Sequence, residues 1–215
     1  MLSKFERSLP WSGAVAGLCW IGHELLAKTD TSDAPGSASA AVIHNHLGAN
    51  YAAVGSLVLM GIALLFFATA VRNLLRSSEA REATYSSIAY GGWIVVVAGL
   101  GQMVVSSWAM INGAADTGDD AALHVLSYSG YFGFAGMGIG IASAFLAIGL
   151  GGIRNAVLPK WFAIATVVLG ALSALGNAGI PPGGLVNYLL LPFWLIAAAV
   201  IVARRQHTAA MLPTA

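Results

Sequence analysis

Charged residues are scarce in this sequence of 215 residues: Lys, Arg, Asp and Glu together make up 9% of it, against about 25% in a typical soluble domain. Hydrophobic residues make up 58%, so most of the protein surface is unsuited to water. The few basic residues form no stripe that could neutralise phosphates, and we expect no nucleic-acid partner. The composition predicts an integral membrane protein whose main partner is the lipid bilayer.

Cysteine and lysine are also rare, and their scarcity excludes several kinds of site. The single cysteine, Cys19, excludes an intrachain disulfide, a Cys-x-x-Cys pair and a haem-attachment motif. Lysine occurs only at positions 4, 28 and 160, near the ends of apolar segments, which excludes a retinal Schiff base in mid-membrane. The histidine boxes of membrane di-iron desaturases are absent. No motif assigns a cofactor or decides whether the protein is an enzyme.

Six apolar segments approach the length of about 20 residues that crosses a bilayer at 1.5 Å per residue. We therefore predict an all-α bundle of six transmembrane helices in one domain over residues 1–205, followed by a short tail, 206–215. No small-x-small cleavage site closely follows the first segment, so we expect it to be retained as a span. The predicted spans cover approximately 9–27, 50–74, 85–111, 123–153, 159–176 and 185–203.

The basic residues are distributed very unequally between the two sides of a six-span arrangement. Lys28 alone falls on one side, whereas nine basic residues fall on the other: Lys4, Arg7, Arg72, Arg76, Arg81, Arg154, Lys160, Arg204 and Arg205. Because basic loops favour the cytoplasm, we predict that both termini are cytoplasmic. The high alanine and glycine content indicates a GC-rich bacterial source, and hence a bacterial plasma membrane.

Small residues recur along one face of the fourth span, at Gly133, Gly136 and Gly140. Such spacing lets two helix backbones approach closely in lipid. We therefore predict a tight helix contact here, through which the chain could self-associate or hold a partner subunit. A nucleotide-binding loop is disfavoured, because these glycines lie within a span and not at a strand-to-helix turn.

The outer side of the six-span arrangement collects most of the ionisable side chains. His23 and Glu24 lie at the outer end of the first span and are our candidate catalytic residues. A carboxylate within the membrane boundary is costly and usually faces the bundle interior with a partner, where this pair could move protons or bind a cation. The alternative is that Glu24 lies in the headgroup region near Lys28.

Other outer polar residues are candidates for binding a ligand or a metal. His46 and Asn50 share a helix face, as do His124 and Tyr128, and Asn112 closes the third span. We predict that these five residues bind a ligand. His44, His46 and His124 could instead form a three-histidine zinc or copper site, or ligate haem. In the alternative, the histidines cap helices or bond the backbone of loops.

Several short stretches at the basic side carry a family resemblance. They are Arg72-Asn-Leu-Leu-Arg76, Gly151-Gly152-Ile153-Arg154, Val157-Leu158-Pro159-Lys160-Trp161, Phe193-Trp194-Leu195 and Arg204-Arg205. Together they resemble six-span integral membrane proteins of actinobacterial type that form a domain-of-unknown-function family. The resemblance covers most of the chain and implies the six-span topology, and it brings no functional residues with it.

Three classes of function fit these patterns. The first is an outward-facing pocket of His and carboxylate groups for a small ligand, a metal or a lipid-like substrate. A catalytic version is a membrane isoprenoid cyclase, in which a protonated Glu24 would supply a proton. The second is a non-enzymatic structural or accessory subunit. The third is a small-solute transporter, which ranks last because mid-membrane charges are missing.

Overall fold

The structure is a computed structural model that describes residues 3–32, 34, 36–79, 83–181 and 186–211, with side chains described in these ranges except at 186, 187 and 207–211. Its α-helices are α1 (Lys4–Ser8), α2 (Trp11–Leu26), α3 (Ala40–Asn45), α4 (Leu47–Arg76), α5 (Thr84–Ala109), α6 (Ala115–Thr117), α7 (Asp120–Arg154), α8 (Lys160–Asn177) and α9 (Leu191–Met211). Two π-helical turns, π1 (Met110–Ala114) and π2 (Val186–Leu190), adjoin α5 and α9.

The described part of the chain is all-helical, as predicted, and it contains no named strand. Five helical segments are long and apolar enough to cross a membrane: Leu47–Arg76, Thr84–Thr117, Asp120–Arg154, Lys160–Asn177 and Tyr188–Gln206. These five segments indicate a membrane protein. Helix α2, the counterpart of the first predicted span, has 16 residues and is therefore only roughly 24 Å long.

The six main helices, α2, α4, α5, α7, α8 and α9, run alternately up and down. At one end Arg154 Nη1 lies 3.4 Å from Tyr85 Oη, and Arg72 stands over the Tyr90 ring. We call this the basic end, because the described arginines of α4, α7 and α9 lie there; Arg81 lies outside the described residues. The opposite end, where α2 ends shortly after His23, is called the histidine end.

An aromatic cluster fills the bundle towards the basic end, with one ring from each of five helices: Phe67, Trp93, Phe145, Phe162 and Trp194. The Trp194 ring is 4.2 Å from that of Phe145 and is stacked on that of Phe162. Its Nε1 donates to Thr166 Oγ1 at 3.0 Å. Helix α2 reaches the cluster at Gly13, where a Cβ would come within 2.6 Å of the Phe67 ring. All six helices therefore close on one another in this half.

The contact between α5 and α7 is tight because glycines face each other across it. A Cβ on Gly140 would lie 2.5 Å from the Gly92 carbonyl oxygen, and a Cβ on Gly92 would lie 2.7 Å from that of Gly140. Gly133 is buried against Met103 in the same interface. The predicted tight helix contact is thus confirmed, and for Gly133 and Gly140 it lies within the chain.

The two π-helical turns both lie at the histidine end, where they widen helices next to the candidate site. Pro192 follows π2 and has no N–H to donate to the Tyr188 carbonyl four residues earlier. That oxygen instead accepts a hydrogen bond from Trp20 Nε1 at 3.0 Å. This hydrogen bond links the segment before α9 to α2 and helps to position Tyr188. π-Helical turns are frequent at functional sites.

Candidate functional site

A cavity of about 490 Å³ opens at the histidine end. It lies between the C-terminal turns of α2, the loop that follows α2, the end of α5 with π1, the first half of α7, and π2. Its polar lining consists of His23, Glu24, Lys28, Thr29, Asp30, Ser32, Ser107, Ser127, Tyr131 and Tyr188. Its larger apolar lining residues are Trp20, Met103, Met110 and Phe134.

The two candidate catalytic residues both line this cavity. The Glu24 carboxylate accepts a short hydrogen bond from the Tyr188 hydroxyl, which joins α2 to π2 across 164 positions of sequence. Tyr188 is itself held by Trp20, through its carbonyl oxygen and through an edge-to-face ring contact at 6.0 Å. Glu24 is therefore half-buried and has a partner on another helical segment.

The hydrogen bond of His23 determines which of its ring nitrogens carries the proton. His23 Nδ1 lies 3.1 Å from the Ala53 carbonyl oxygen. Because a carbonyl oxygen can only accept, Nδ1 must be the donor, and in the neutral ring the lone pair then resides on Nε2. The side chain thus brings an acceptor nitrogen to a cavity that already contains the carboxylate of Glu24.

The cap loop, which the structure describes at residues 27–32, 34 and 36–39, lines the cavity and is bonded to α4 by the side-chain amide of Asn50. Asn50 is buried, and its Oδ1 accepts from Lys28 N at 2.7 Å while its Nδ2 donates to Lys28 O at 2.9 Å. The same Nδ2 lies 3.4 Å from Ile43 O. The two bonds to Lys28 satisfy backbone groups that lie beyond the end of α2, and they fix the cap loop to α4.

A second set of bonds holds the cap loop to α7. Ser127 Oγ donates to Asp30 Oδ1 at 2.8 Å and accepts from Gly36 N at 3.0 Å. His124 Nδ1 donates to Gly36 O at 2.8 Å. Gly36 has a φ of +80°, and a Cβ there would lie 2.5 Å from the Tyr128 ring, so only glycine fits. Asp30 is thereby brought to the cavity.

The five residues predicted to bind a ligand do not line the cavity. Asn50, His124 and Tyr128 instead hold or contact the cap loop. His46 joins α3 to α4 and is exposed, and Asn112 accepts a hydrogen bond from Tyr51 Oη at 2.8 Å outside the cavity. His124 matches the alternative interpretation, because it bonds the backbone of a loop, whereas the His46 side chain makes no capping hydrogen bond to α4.

The predicted three-histidine metal site is not assembled. His44 Nε2 is 3.2 Å from Asp116 Oδ1 at the surface, and His124 is used by the cap loop. Across the described ranges, no three His, Cys, Asp or Glu side chains are grouped so that they could hold a metal ion. The three histidines are held by different segments: His44 lies in α3, His46 lies between α3 and α4, and His124 lies in α7.

Sequence reasoning missed several residues that line the cavity, above all Asp30, Ser127 and Tyr188. Tyr188 had a recognisable signal, since an aromatic hydroxyl near the start of the last predicted span can reach a carboxylate near the end of the first predicted span. Asp30 had none, because its position depends on how the cap loop folds back onto α7. Comparison with protein-family models, with curated proteins and with solved structures finds no match to this chain.

Proposed function

We propose that this chain is a bacterial plasma-membrane protein with six spans, of which α2 is the first, and with both termini in the cytoplasm. The charge distribution supports this proposal, because basic residues gather at the basic end and Lys28 lies at the other. Helix α2 is short for a span, but it packs antiparallel to α4 and against α9, where Gly17 approaches the Pro192 carbonyl closely. The family resemblance of the sequence agrees with six spans.

Single cysteines placed in a cysteine-free Cys19→Ala background test this topology. Ser32→Cys lies in the cap loop, Ser77→Cys follows α4, and Ser8→Cys lies before α2. Six spans predict that an impermeant maleimide labels Ser32→Cys on intact cells, but labels the other two only after lysis. Labelling of Ser8→Cys on intact cells would mean that α2 does not cross the membrane.

The function that the geometry supports best is the binding of a small amphiphilic ligand in the cavity at the outer side. The main support for ligand binding is the cavity itself. Its volume of about 490 Å³ falls in the range of ligand pockets, roughly 300–1,000 Å³. Its lining combines polar groups such as those of Glu24 and Tyr188 with the apolar side chains of Met103, Met110 and Phe134. The aromatic cluster closes the opposite half, which favours a one-sided pocket over a transport path.

Filling the cavity tests this function whatever the identity of the ligand. Gly130 lines the cavity, and a Cβ there meets no atom within 4 Å, so Gly130→Phe should occupy ligand space at little structural cost. Gly101→Phe is the matched control, because Gly101 is equally open but lies outside the cavity. Mass spectrometry of extracts from the purified proteins should find a small molecule retained by the wild type and by Gly101→Phe, but not by Gly130→Phe. Identical extracts from all three would refute a ligand pocket.

A further inference from the structure

We propose that the cavity recognises an organic ammonium group that carries a short apolar chain. This inference rests on the proposed function, since it names the ligand class of the same cavity. The balance of charge among the lining residues supports it first. Glu24 and Asp30 bring two carboxylates and Lys28 brings one ammonium group, so the lining has a net charge of −1 with His23 neutral. The site is therefore suited to a cation.

Hydrogen-bond capacity points the same way. The Tyr188 hydroxyl contacts Oε2 of Glu24 and the Ser127 hydroxyl contacts Oδ1 of Asp30, which leaves each carboxylate with further acceptor capacity. The Nδ1–H of His23 donates to the Ala53 carbonyl oxygen, so the other ring nitrogen remains an acceptor. Acceptor positions thus remain on the two carboxylates and on the imidazole of the lining. An alkylammonium ion, which has only donors, complements them, whereas an alkyl carboxylate does not.

Aromatic rings add a second kind of cation recognition. Trp20 and Tyr188 meet edge to face at 6.0 Å with an interplanar angle of 80°. Tyr131 and Phe134, on α7, meet at 5.8 Å and 87°. Two right-angled pairs, from different helices, therefore line one cavity. Ring faces attract ammonium groups, and aromatic cages are a common way of binding them.

The apolar chain of the ligand would lie against Met103, Met110 and Phe134. Methionine side chains are flexible and polarisable, so they adapt to alkyl groups of different shape. A ligand that joins an ammonium group to a short chain matches both parts of the lining. A free alkylamine and an ethanolamine phospholipid offer the same chemistry, and binding measurements can separate these two sources.

The test measures binding of octylammonium, octanol and octanoate by isothermal titration to the full chain in a neutral detergent. We expect octylammonium to bind on the order of tenfold more tightly than the other two, from its ionic and cation–π contacts. Glu24→Gln and Asp30→Asn should each weaken octylammonium about tenfold and leave octanol unchanged. Both variants keep an oxygen for Tyr188 or Ser127, so the fold is preserved. Asp116→Asn, which lies at the same end but outside the cavity, should bind as the wild type does.

The outcomes separate this inference from the function on which it rests. If octanol binds the wild type as tightly as octylammonium does, and Gly130→Phe binds neither, the preference for an ammonium group is refuted. The proposal of a ligand pocket would still hold in that case. If none of the three probes binds, both proposals fail. Native mass spectrometry from mixed-lipid nanodiscs identifies the source: retention of an ethanolamine phospholipid by the wild type, and its loss from Glu24→Gln, assigns a headgroup. Octylammonium binding without a retained lipid assigns a free amine, and preferential retention of phosphatidylglycerol contradicts the proposal.

Discussion

The packing of α5 against α7 gives a prediction whose size follows from the structure, for the substitution Gly140→Ala. The new methyl group would lie 2.5 Å from the Gly92 carbonyl oxygen and 2.8 Å from Val96 N. Both neighbours are backbone atoms, so neither can rotate away as a side chain would. Relief to an ordinary contact of 3.4 Å requires the helices to separate by roughly 0.9 Å at this level.

Overpacking of this kind costs about 1–3 kcal/mol, and backbone neighbours on both sides place Gly140→Ala near the upper value. Alanine in place of a helical glycine stabilises the helix by about 1 kcal/mol through its higher helix propensity. The net decrease in the free energy of unfolding is therefore about 2 kcal/mol. Gly136→Ala is the matched control. Its Cβ would meet Gly99 Cα at an ordinary 3.8 Å, so it should be neutral or stabilised by up to about 1 kcal/mol.

The assay is unfolding of the purified protein from mild detergent by added SDS, followed by circular dichroism. A Gly140→Ala variant as stable as the wild type, or a Gly136→Ala variant that is the less stable of the two, would refute this packing effect. Size-exclusion chromatography of the same samples also tests the predicted self-association. Gly133 and Gly140 are buried within the chain, and Gly136, although exposed, also meets Gly99 of α5, so a contact with a second copy or a partner subunit stays a prediction.

Two further predictions concern buried hydrogen bonds. Asn50→Ala removes two hydrogen bonds to the cap loop, so we expect the free energy of unfolding to fall by about 1–3 kcal/mol and amide exchange over 27–39 to become faster. The control Asn112→Ala loses one exposed hydrogen bond and should change stability by about 0.5 kcal/mol or less. Equal effects of the two substitutions would contradict this role of Asn50. Thr166→Val removes the hydrogen-bond acceptor of Trp194 Nε1 and should lower the free energy of unfolding, measured with SDS, by about 1–3 kcal/mol. The control Thr69→Val, at an exposed hydrogen bond, should be close to neutral. A neutral Thr166→Val would show that the indole N–H needs no acceptor there.

The helices were predictable because their signals are local and repeated. The apolar stretch before Arg72 and Arg76 is long enough to identify α4, and the structure begins and ends that helix within three residues of the predicted span. The spacing of Gly136 and Gly140, with Gly133 one turn earlier, likewise predicted a tight helix contact. The first span was harder, because 16 helical residues are fewer than a bilayer usually requires.

The candidate site was predictable only where a single residue type was decisive. Glu24 is costly in an apolar environment, so a partner and an inward position could be expected from the sequence. The histidines were not predictable in this way, because an imidazole serves equally well as a metal ligand or as a bond to loop backbone. His124 took the second role, which depends on the left-handed turn at Gly36.

The remaining parts of the site depend on long-range geometry that no sequence period encodes. Tyr188 contacts Glu24 from a backbone position that Trp20 holds through the Tyr188 carbonyl oxygen. Asp30 reaches the cavity where Ser127 and His124 hold the cap loop to α7. Each contact joins segments separated by about 100 residues or more, and each follows from the packing of whole helices.

One measurement tests the central claim most directly: the modification rate of Ser107→Cys in the Cys19→Ala background. Ser107 lines the cavity, and its hydroxyl bonds only Met103 O of its own helix among the contacts described, so the substitution removes no link between helices. An impermeant thiol reagent should modify this cysteine on intact cells, and octylammonium should slow the reaction while octanoate does not. Modification only in inside-out vesicles, or equal rates with and without octylammonium, would contradict an outward-facing pocket for an ammonium ligand.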